Sequence, residues 1–480
     1  MINLKSDKNQ KTNETRLVQI LFYTFPLWFI VGNLAVSINT LLFIAASLFL
    51  IKKKQLTFRF NNLNWLLIIF FSYFFLSTTI HFLSPGILND RLETLLLENN
   101  PIFKSFMLIR FLILIIIIDT LFFNKILNFK KLFLSSLLCT SFVSFDIMLQ
   151  YITGFDLFGF KRLDAYGPGP FGDEFIAGSY LKNFSFFSFF YIFETFKNKN
   201  FNIPLLIFII VLHLIAILLA GNRMPLLLFL FGCVLIILLI KNLRFVMFLS
   251  LLIFLLISFP LVKNDIHLKS TYRSFFYEIN IYRLVKQYTK KTDTSAKMTN
   301  SLSTPSADMA EKKNFLRWSG HGRIFQTAIL MWKEQPLTGF GFKSFRIKCW
   351  DMLEKDNAER KITQRPQNIV CSNHAHNYYL ELLSEAGIVG TSLMIIFFLI
   401  LLKNSFFYIK KYNQKTNAEL ILLVPVIINI FIEKVNIRTK ETGKSQYIIN
   451  LINFFIYLHS VLFASPSLEI FIFNIILFKE

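Results

Sequence analysis

The chain has 480 residues, 54% of them hydrophobic, and repeats apolar runs of about 17 to 22 residues, the length that crosses a ~30 Å hydrocarbon core. Such runs exclude a soluble multidomain fold, and because they are continuously apolar rather than alternating they exclude a membrane barrel as well. The formal net charge of +22 would suit nucleic acid, but the lysines lie between the apolar runs and not along one amphipathic face, so a membrane accounts for them first.

Met1 to Arg16 are polar and basic, and the apolar segment that follows runs into a second one with no small-residue cleavage site. This reads as a retained first span. Spans are expected at 17–32, 34–51, 63–82, 104–123, 132–152, 176–195, 201–219, 225–241, 244–262, 384–402, 418–432 and 447–463. The fold class is all-α, a polytopic transmembrane bundle of roughly twelve helices. Basic clusters at Lys5 to Arg16, Lys52 to Lys54, Lys125 with Lys130 and Lys131, Lys197 with Lys199, Lys241 with Arg244, and Lys403 with Lys410, Lys411 and Lys415 all fall on one side. The positive-inside rule makes that side the cytoplasm and puts both termini there.

Three parts follow: helices through 262, an outer, partly helical segment at 263–383, and carboxy-terminal helices from 384 to 480. The outer face also receives the loop after residue 82, a Gly/Pro-rich loop near 153–175 and a tight turn at Gly221 to Met224. In the long outer segment Lys and Arg exceed Asp and Glu about two to one, which suits an anionic ligand. Residues 286–314 are Ser/Thr/Lys-rich without periodicity and read as flexible, whereas 315–383 read as folded. There Phe325, Ala328, Ile329 and Trp332 recur at helical spacing until Pro336 ends the pattern. Of the four cysteines, Cys139 and Cys233 sit in apolar runs, so only Cys349 and Cys371 are placed to pair, and only in an oxidising compartment.

The most specific stretch is HAHNYYLELLSEAGIVG, residues 374–390. It resembles the signature of the O-antigen ligase and polymerase superfamily: a His, then Asn, Ser or Gln, nine residues, Gly, two residues, and Gly, Thr or Tyr. His376, Asn377, Gly387 and Gly390 fill it. Leu380, Leu383 and Gly387 at three- and four-residue spacing predict a helix that starts polar and enters the membrane, with His376 at its surface. GHGRIFQTAILMWKEQPLTGFGFKSF, residues 320–345, resembles the family's Arg or His, amphipathic helix, Pro and Gly-x-Gly order, here with Arg323, Gly339 and Gly341. AGNRMP puts Arg223 in a short outer turn where the family has an Arg, and the loop with Lys161, Arg162 and Gly167 to Pro170 resembles the family's Arg-plus-Gly region. A bridge between Cys349 and Cys371 would tie the segment after the Gly-x-Gly turn to the base of the His376 helix. Bland readings stand beside these: His376 as a helix cap, Arg223 snorkelling to headgroups, and the 153–175 loop as a plain connection. The specific resemblance covers about 150–400, and beyond 432 the pattern departs.

The resemblance implies a glycosyltransferase of the bacterial inner membrane, active at the periplasmic face in lipopolysaccharide or surface polysaccharide assembly. It would move an undecaprenyl-diphosphate-linked glycan to an acceptor hydroxyl, of lipid A core for a ligase or of another lipid-linked glycan for a polymerase. By that resemblance His376 accepts the acceptor's proton, and Arg223, with Arg162 or Arg323, grips the departing diphosphate. No metal or cofactor is expected, since no DxD pair lies at an outer helix end and His374 with His376 lacks a third ligand. The partners are the donor, the acceptor and the bilayer, with no nucleic acid, and nothing speaks to oligomeric state. A transporter of lipid-linked sugars, drawing on Asp119, Asp146 or Glu194, is the reading from another class.

Overall fold

The computed structural model describes residues 13–58, 60, 62–83, 100–164, 166–172, 174–196, 201–278, 320–363, 369–372, 374–375, 377–412 and 421. The stretch 286–314, expected to be flexible, the expected span 447–463 and all of the expected span 418–432 but Ile421 lie outside the described residues, as does His376. Within them the chain is all-α: outside the helices, β pairing is limited to isolated bridges between Phe155 and Lys161 and between Leu163 and Tyr166.

The helices are α1 (Asn13–Tyr23), α2 (Phe25–Val31), α3 (Asn33–Lys53), α4 (Asn62–Leu83), α5 (Pro101–Phe123), α6 (Phe129–Thr153), α7 (Ala177–Thr195), α8 (Asn202–Leu219), α9 (Arg223–Leu239), α10 (Arg244–Asn264), α11 (Ile266–Glu278), α12 (Gly320–Glu334), α13 (Phe345–Thr363) and α14 (Tyr378–Tyr412). Among the described residues, seven stretches are long and apolar enough to cross a membrane: α3, α4, α5, α6, α8, α10 with the turn before it, and α14 as far as Ile400. The protein is therefore a multi-pass membrane protein, but the expected count of about twelve is not reached among the described residues. The single expected span 17–32 is split at Thr24, where Pro26 in the first turn of α2 brings no backbone N–H. Thr24 instead turns its hydroxyl onto the Ile20 carbonyl at 2.9 Å, and Gly32 at φ +126° separates α2 from α3. Helix α9 has 17 residues, and α7 carries the buried polar residues Lys182, Asn183, Ser185 and Ser188.

Contacts between the links group them at two ends of the bundle, Lys53 with Glu14 and Gln19 with Ile126 at one, Phe342 with Thr78 and Arg162 with Asp265 at the other. One carries Lys52 to Lys54, Lys125, Lys130, Lys131, Lys241 and Arg244, and is called the lysine end below. The other, the loop end, carries residues 154–176, the α8–α9 turn, α11, and everything from α12 to the start of α14. At the bundle centre α7 buries Phe184, Phe186, Phe187 and Phe189, whereas α10 leaves Phe245, Phe248, Leu255 and Phe259 uncovered, the pattern of a lipid-facing helix. A second, smaller core built from Ile324, Ala328, Met331, Phe340, Phe345, Met352, Ile369 and Ala375 lies at the loop end. Helix α11 was not expected. Its sequence IHLKSTYRSFFYE mixes charge and aromatic residues without a long apolar stripe, and it is held through its start at Asp265 and through Tyr272.

Candidate active site at the loop end

The motif glycines form one interlock. Helix α12 stops at Glu334, before Pro336, and the next residues turn sharply with Gly339 at φ +66° and Gly341 at φ +87°. This turn inserts into α14, which leaves helical geometry at Gly387 (φ +62°). In an unbroken helix Ile388 and Val389 would donate to the Ser384 and Glu385 carbonyls. Here those carbonyls accept from Phe340 N–H at 3.0 Å and Gly341 N–H at 2.8 Å, while the Ile388 and Val389 N–H groups donate to the Pro336 and Leu337 carbonyls at 2.9 and 3.2 Å. The inserted turn thus satisfies two carbonyls and two N–H groups that the break frees, as non-helical backbone at membrane depth requires.

The contacts are too close for any side chain. A Cβ on Gly339 would come within 2.4 Å of the Glu385 carbonyl carbon, one on Gly387 within 2.2 Å of the Leu337 oxygen, and one on Gly390 within 2.9 Å of the Tyr73 ring. Helix α4 closes the other side: Tyr73 donates to the Ala386 carbonyl at 2.9 Å, Ser77 to the Thr338 carbonyl at 3.0 Å, and Phe342 N–H to the Thr78 hydroxyl at 2.9 Å. The expected regular helix through Leu380, Leu383 and Gly387 is corrected here to a helix broken at Gly387.

Around the interlock the polar groups are buried or half-buried. Asn377 caps α14, accepting from Leu380 N–H on its side chain at 3.1 Å and from Glu381 N–H on its carbonyl at 2.9 Å. His374 is only 2% exposed. Lys343, itself at φ +61°, lies 4.0 Å from Glu381. Burial pulls its ammonium below the ordinary lysine range, against the pull of Glu381 and Glu385 in the opposite direction. Glu385, buried inside α14, faces the first N–H of α13 at Phe345, 3.5 Å away, where the positive end of that helix favours a carboxylate. Cys349 and Cys371 are bridged, with Cα atoms 5.6 Å apart, and Thr327 of α12 meets the backbone of Val370 at 3.1 and 3.2 Å. Arg323 stands on α12, half-buried, and its buried Nε has no hydrogen-bond partner among the described residues.

Arg223 and Arg162 form a second group, gathered by α11. Asn222 orders the α8–α9 turn by accepting from Gly178 N–H at 2.9 Å and donating to the Phe175 carbonyl at 3.1 Å. Gly178 must be bare, because a Cβ there would lie 2.7 Å from Asn222. Arg223 then opens α9, half-buried, and its charge acts on the phenol of Tyr272. Tyr272 in turn donates to the Leu218 carbonyl at 2.9 Å, and burial raises its phenol far above the ordinary tyrosine range. Arg162 donates to Asp265 at 2.7 Å and lies 4.6 Å over the Tyr151 ring. Burial works against the Asp265 charge, but the Leu268 N–H, the Arg162 guanidinium and the His267 N–H hold its carboxyl below the usual range. Arg162 thus already has a carboxylate, which any phosphate ligand would have to replace.

The loop end therefore carries all the expected site residues that are described, Arg162 and Arg223 in one group and Arg323, Asn377 and the four glycines in the other. Lys343, Glu385, Asn222 and Asp265 escaped the sequence reading. The one available signal was the polar pair Ser384–Glu385 at the head of an otherwise apolar run, since ionisable groups at membrane depth are functional candidates by default.

Residues 208–395 match the O-Antigen ligase family. No curated protein matches the chain. The matched segment runs from α8 through the Arg223 turn, α11, α12 and the glycine interlock to just past Gly390.

Proposed function

We propose that the protein, whose residues 208–395 match the O-Antigen ligase family, is a multi-pass membrane glycosyltransferase that transfers a glycan from undecaprenyl diphosphate to an acceptor hydroxyl at its loop end. The observation that carries this reading is the interlock, which fixes the start of α14, capped by Asn377 one residue after His376 in sequence, and does so with the signature glycines themselves. Two features support a periplasmic loop end: lysines crowd the opposite end, and a disulfide lies in the loop-end core. The membrane is then the bacterial inner one, with both termini cytoplasmic.

In the proposed reaction the acceptor oxygen attacks the anomeric carbon, the bond from that carbon to the phosphate oxygen breaks, and the acceptor proton passes to His376. The electron pair of the broken bond leaves with the diphosphate, whose growing negative charge meets Arg223, with Arg162 or Arg323 beside it. Guanidinium groups stay charged and grip phosphate oxygens in pairs, so the step is proposed without a metal. The signature fit leans toward a ligase with lipid A core as acceptor, and a polymerase would differ only in taking another lipid-linked glycan.

The test is transfer from a lipid-diphosphate-linked oligosaccharide in proteoliposomes, with both acceptors, wild type beside His376→Ala. Glycan on lipid A core that vanishes in the variant supports the ligase, and chain growth supports the polymerase. Undiminished transfer by His376→Ala would sink the general-base assignment. Movement of the intact lipid-linked sugar across the bilayer, without transfer, would move the reading to a transporter.

A further inference from the structure

Residues 155–160, the hairpin after α6, lie outside the matched segment and carry no group assigned to the proposed reaction, and their geometry is unusual for a loop. Lys130 and Lys131 mark the lysine end of α6. At 1.5 Å per residue, a ~30 Å hydrocarbon core ends about twenty residues further on, near Tyr151. The chain reverses at Gly154 (φ +84°). It runs back beside α6: Leu157 N–H donates to Asp146 at 2.8 Å, and the Phe158 ring lies 6.4 Å from that of Phe142. Asp146 and Phe142 stand about 10 and 16 Å back from the end of α6.

A segment at that depth needs partners for its backbone N–H groups, and each N–H from Phe155 to Phe160 has an acceptor. Asp156 accepts from the N–H groups of Phe158 and Phe160 at 3.0 and 2.6 Å, and its own N–H donates to the Phe160 carbonyl at 3.0 Å. Gln150 donates to that carbonyl too, at 3.1 Å, and Thr153 donates to the Phe155 carbonyl at 2.7 Å. The side chains point the other way: Phe155, Leu157, Phe158 and Phe160 are 51, 51, 62 and 46% exposed, a cluster that water would penalise and lipid would not. Basic residues return only where the chain climbs back, with Lys161 exposed and Arg162 stacked over Tyr151, at the depth where aromatic rings and cations meet lipid headgroups.

We propose that residues 155–160 are a re-entrant hairpin immersed in the leaflet at the loop end, its apolar face covered by the acyl chains of bulk lipid and its Lys161–Arg162 edge at the phosphates. The hairpin thereby sets the depth of Arg162, a consequence that matters only if the proposed diphosphate role holds. The immersion itself does not depend on that role.

The experiment is nitroxide labelling of Phe158→Cys and, independently, Phe155→Cys in the full chain, reconstituted in phosphatidylethanolamine and phosphatidylglycerol vesicles. The native cysteines are buried or bridged and do not take the label. Collision with oxygen and with a water-soluble nickel chelate is compared with labels at Leu138→Cys, on the lipid face of α6, and Asp164→Cys, in water. Labels at 158 and 155 that match Leu138, with at least about fivefold less nickel collision than at Asp164, support immersion. Nickel collision equal to that at Asp164 at both sites overturns it. Protection that appears only on adding undecaprenyl diphosphate, or dipolar broadening that reports a second copy, also overturns it by naming another occupant.

Discussion

The three candidate arginines differ in what already holds them. Arg162 has Asp265 at 2.7 Å and the Tyr151 ring beneath it, whereas Arg223 opens a helix in a turn that Asn222 orders. Arg223→Gln is therefore expected to lower kcat by about 100-fold with little change in KM, the signature of a group that meets charge growing toward the transition state. Unchanged turnover would make it an interfacial anchor. Arg162→Gln is expected to act first on stability, because it leaves Asp265 half-buried and unpaired, at a cost of roughly 1.5–3 kcal/mol in detergent unfolding. The sign of the pH effect follows from Asp265. Its folded carboxyl lies below the usual range, so its contribution is fully present above the unfolded value of about 3.9 and is lost as pH falls through the folded one. Wild type should lose stability over that acid window and Asp265→Asn should lose less of it. Equal acid sensitivity in unfolding scans would remove the pair from the account.

At the scale of elements, the interlock turns the signature from a pattern into a mechanical requirement. Gly387 and Gly154 share a positive φ, but a Cβ on Gly154 would meet nothing within 4 Å while one on Gly387 would strike the Leu337 oxygen at 2.2 Å. Gly154→Ala should therefore cost only the conformational strain, roughly 1–2 kcal/mol. Gly387→Ala adds displacement of the 336–341 turn, and is expected to unfold at clearly lower temperature and to abolish transfer. Similar melting of the two variants would mean that the turn is not seated in the break. Cys349→Ser, which opens a link across a sequence separation of 22, should cost about 3 kcal/mol in the same assay. The glycines were legible as a motif, but their use was not. The break in α14 is stabilised by residues some fifty positions upstream, and periodicity read along one helix carries no information about a distant segment that replaces its hydrogen bonds. The break at Thr24, by contrast, was written locally in Pro26, and reading the hydrophobic run alone passed over it.

For the whole molecule, the apolar runs made the class and most helix positions readable, since ten of the twelve expected spans coincide with described helices or, for 17–32, a split pair. Helix α11 and the backward course of residues 155–160 were not readable, because both are held by side-chain contacts between loops. What charge pattern predicts most directly is orientation, and the protein's own cysteines allow a clean test. Cys139 and Cys233 are buried, and Cys349 with Cys371 is bridged, so one introduced thiol reports alone. Lys54 is half-buried at the lysine end and Lys161 is exposed at the loop end. In intact bacterial cells a membrane-impermeant maleimide should label Lys161→Cys at once and Lys54→Cys only after the inner membrane is opened. The reverse order would put the disulfide in a reducing compartment and the lysines outside, against both the oxidation chemistry and the charge rule. It would also remove the loop end from the face where a translocated lipid-linked glycan is available, and the transfer reading would fall with it even if the fold stood.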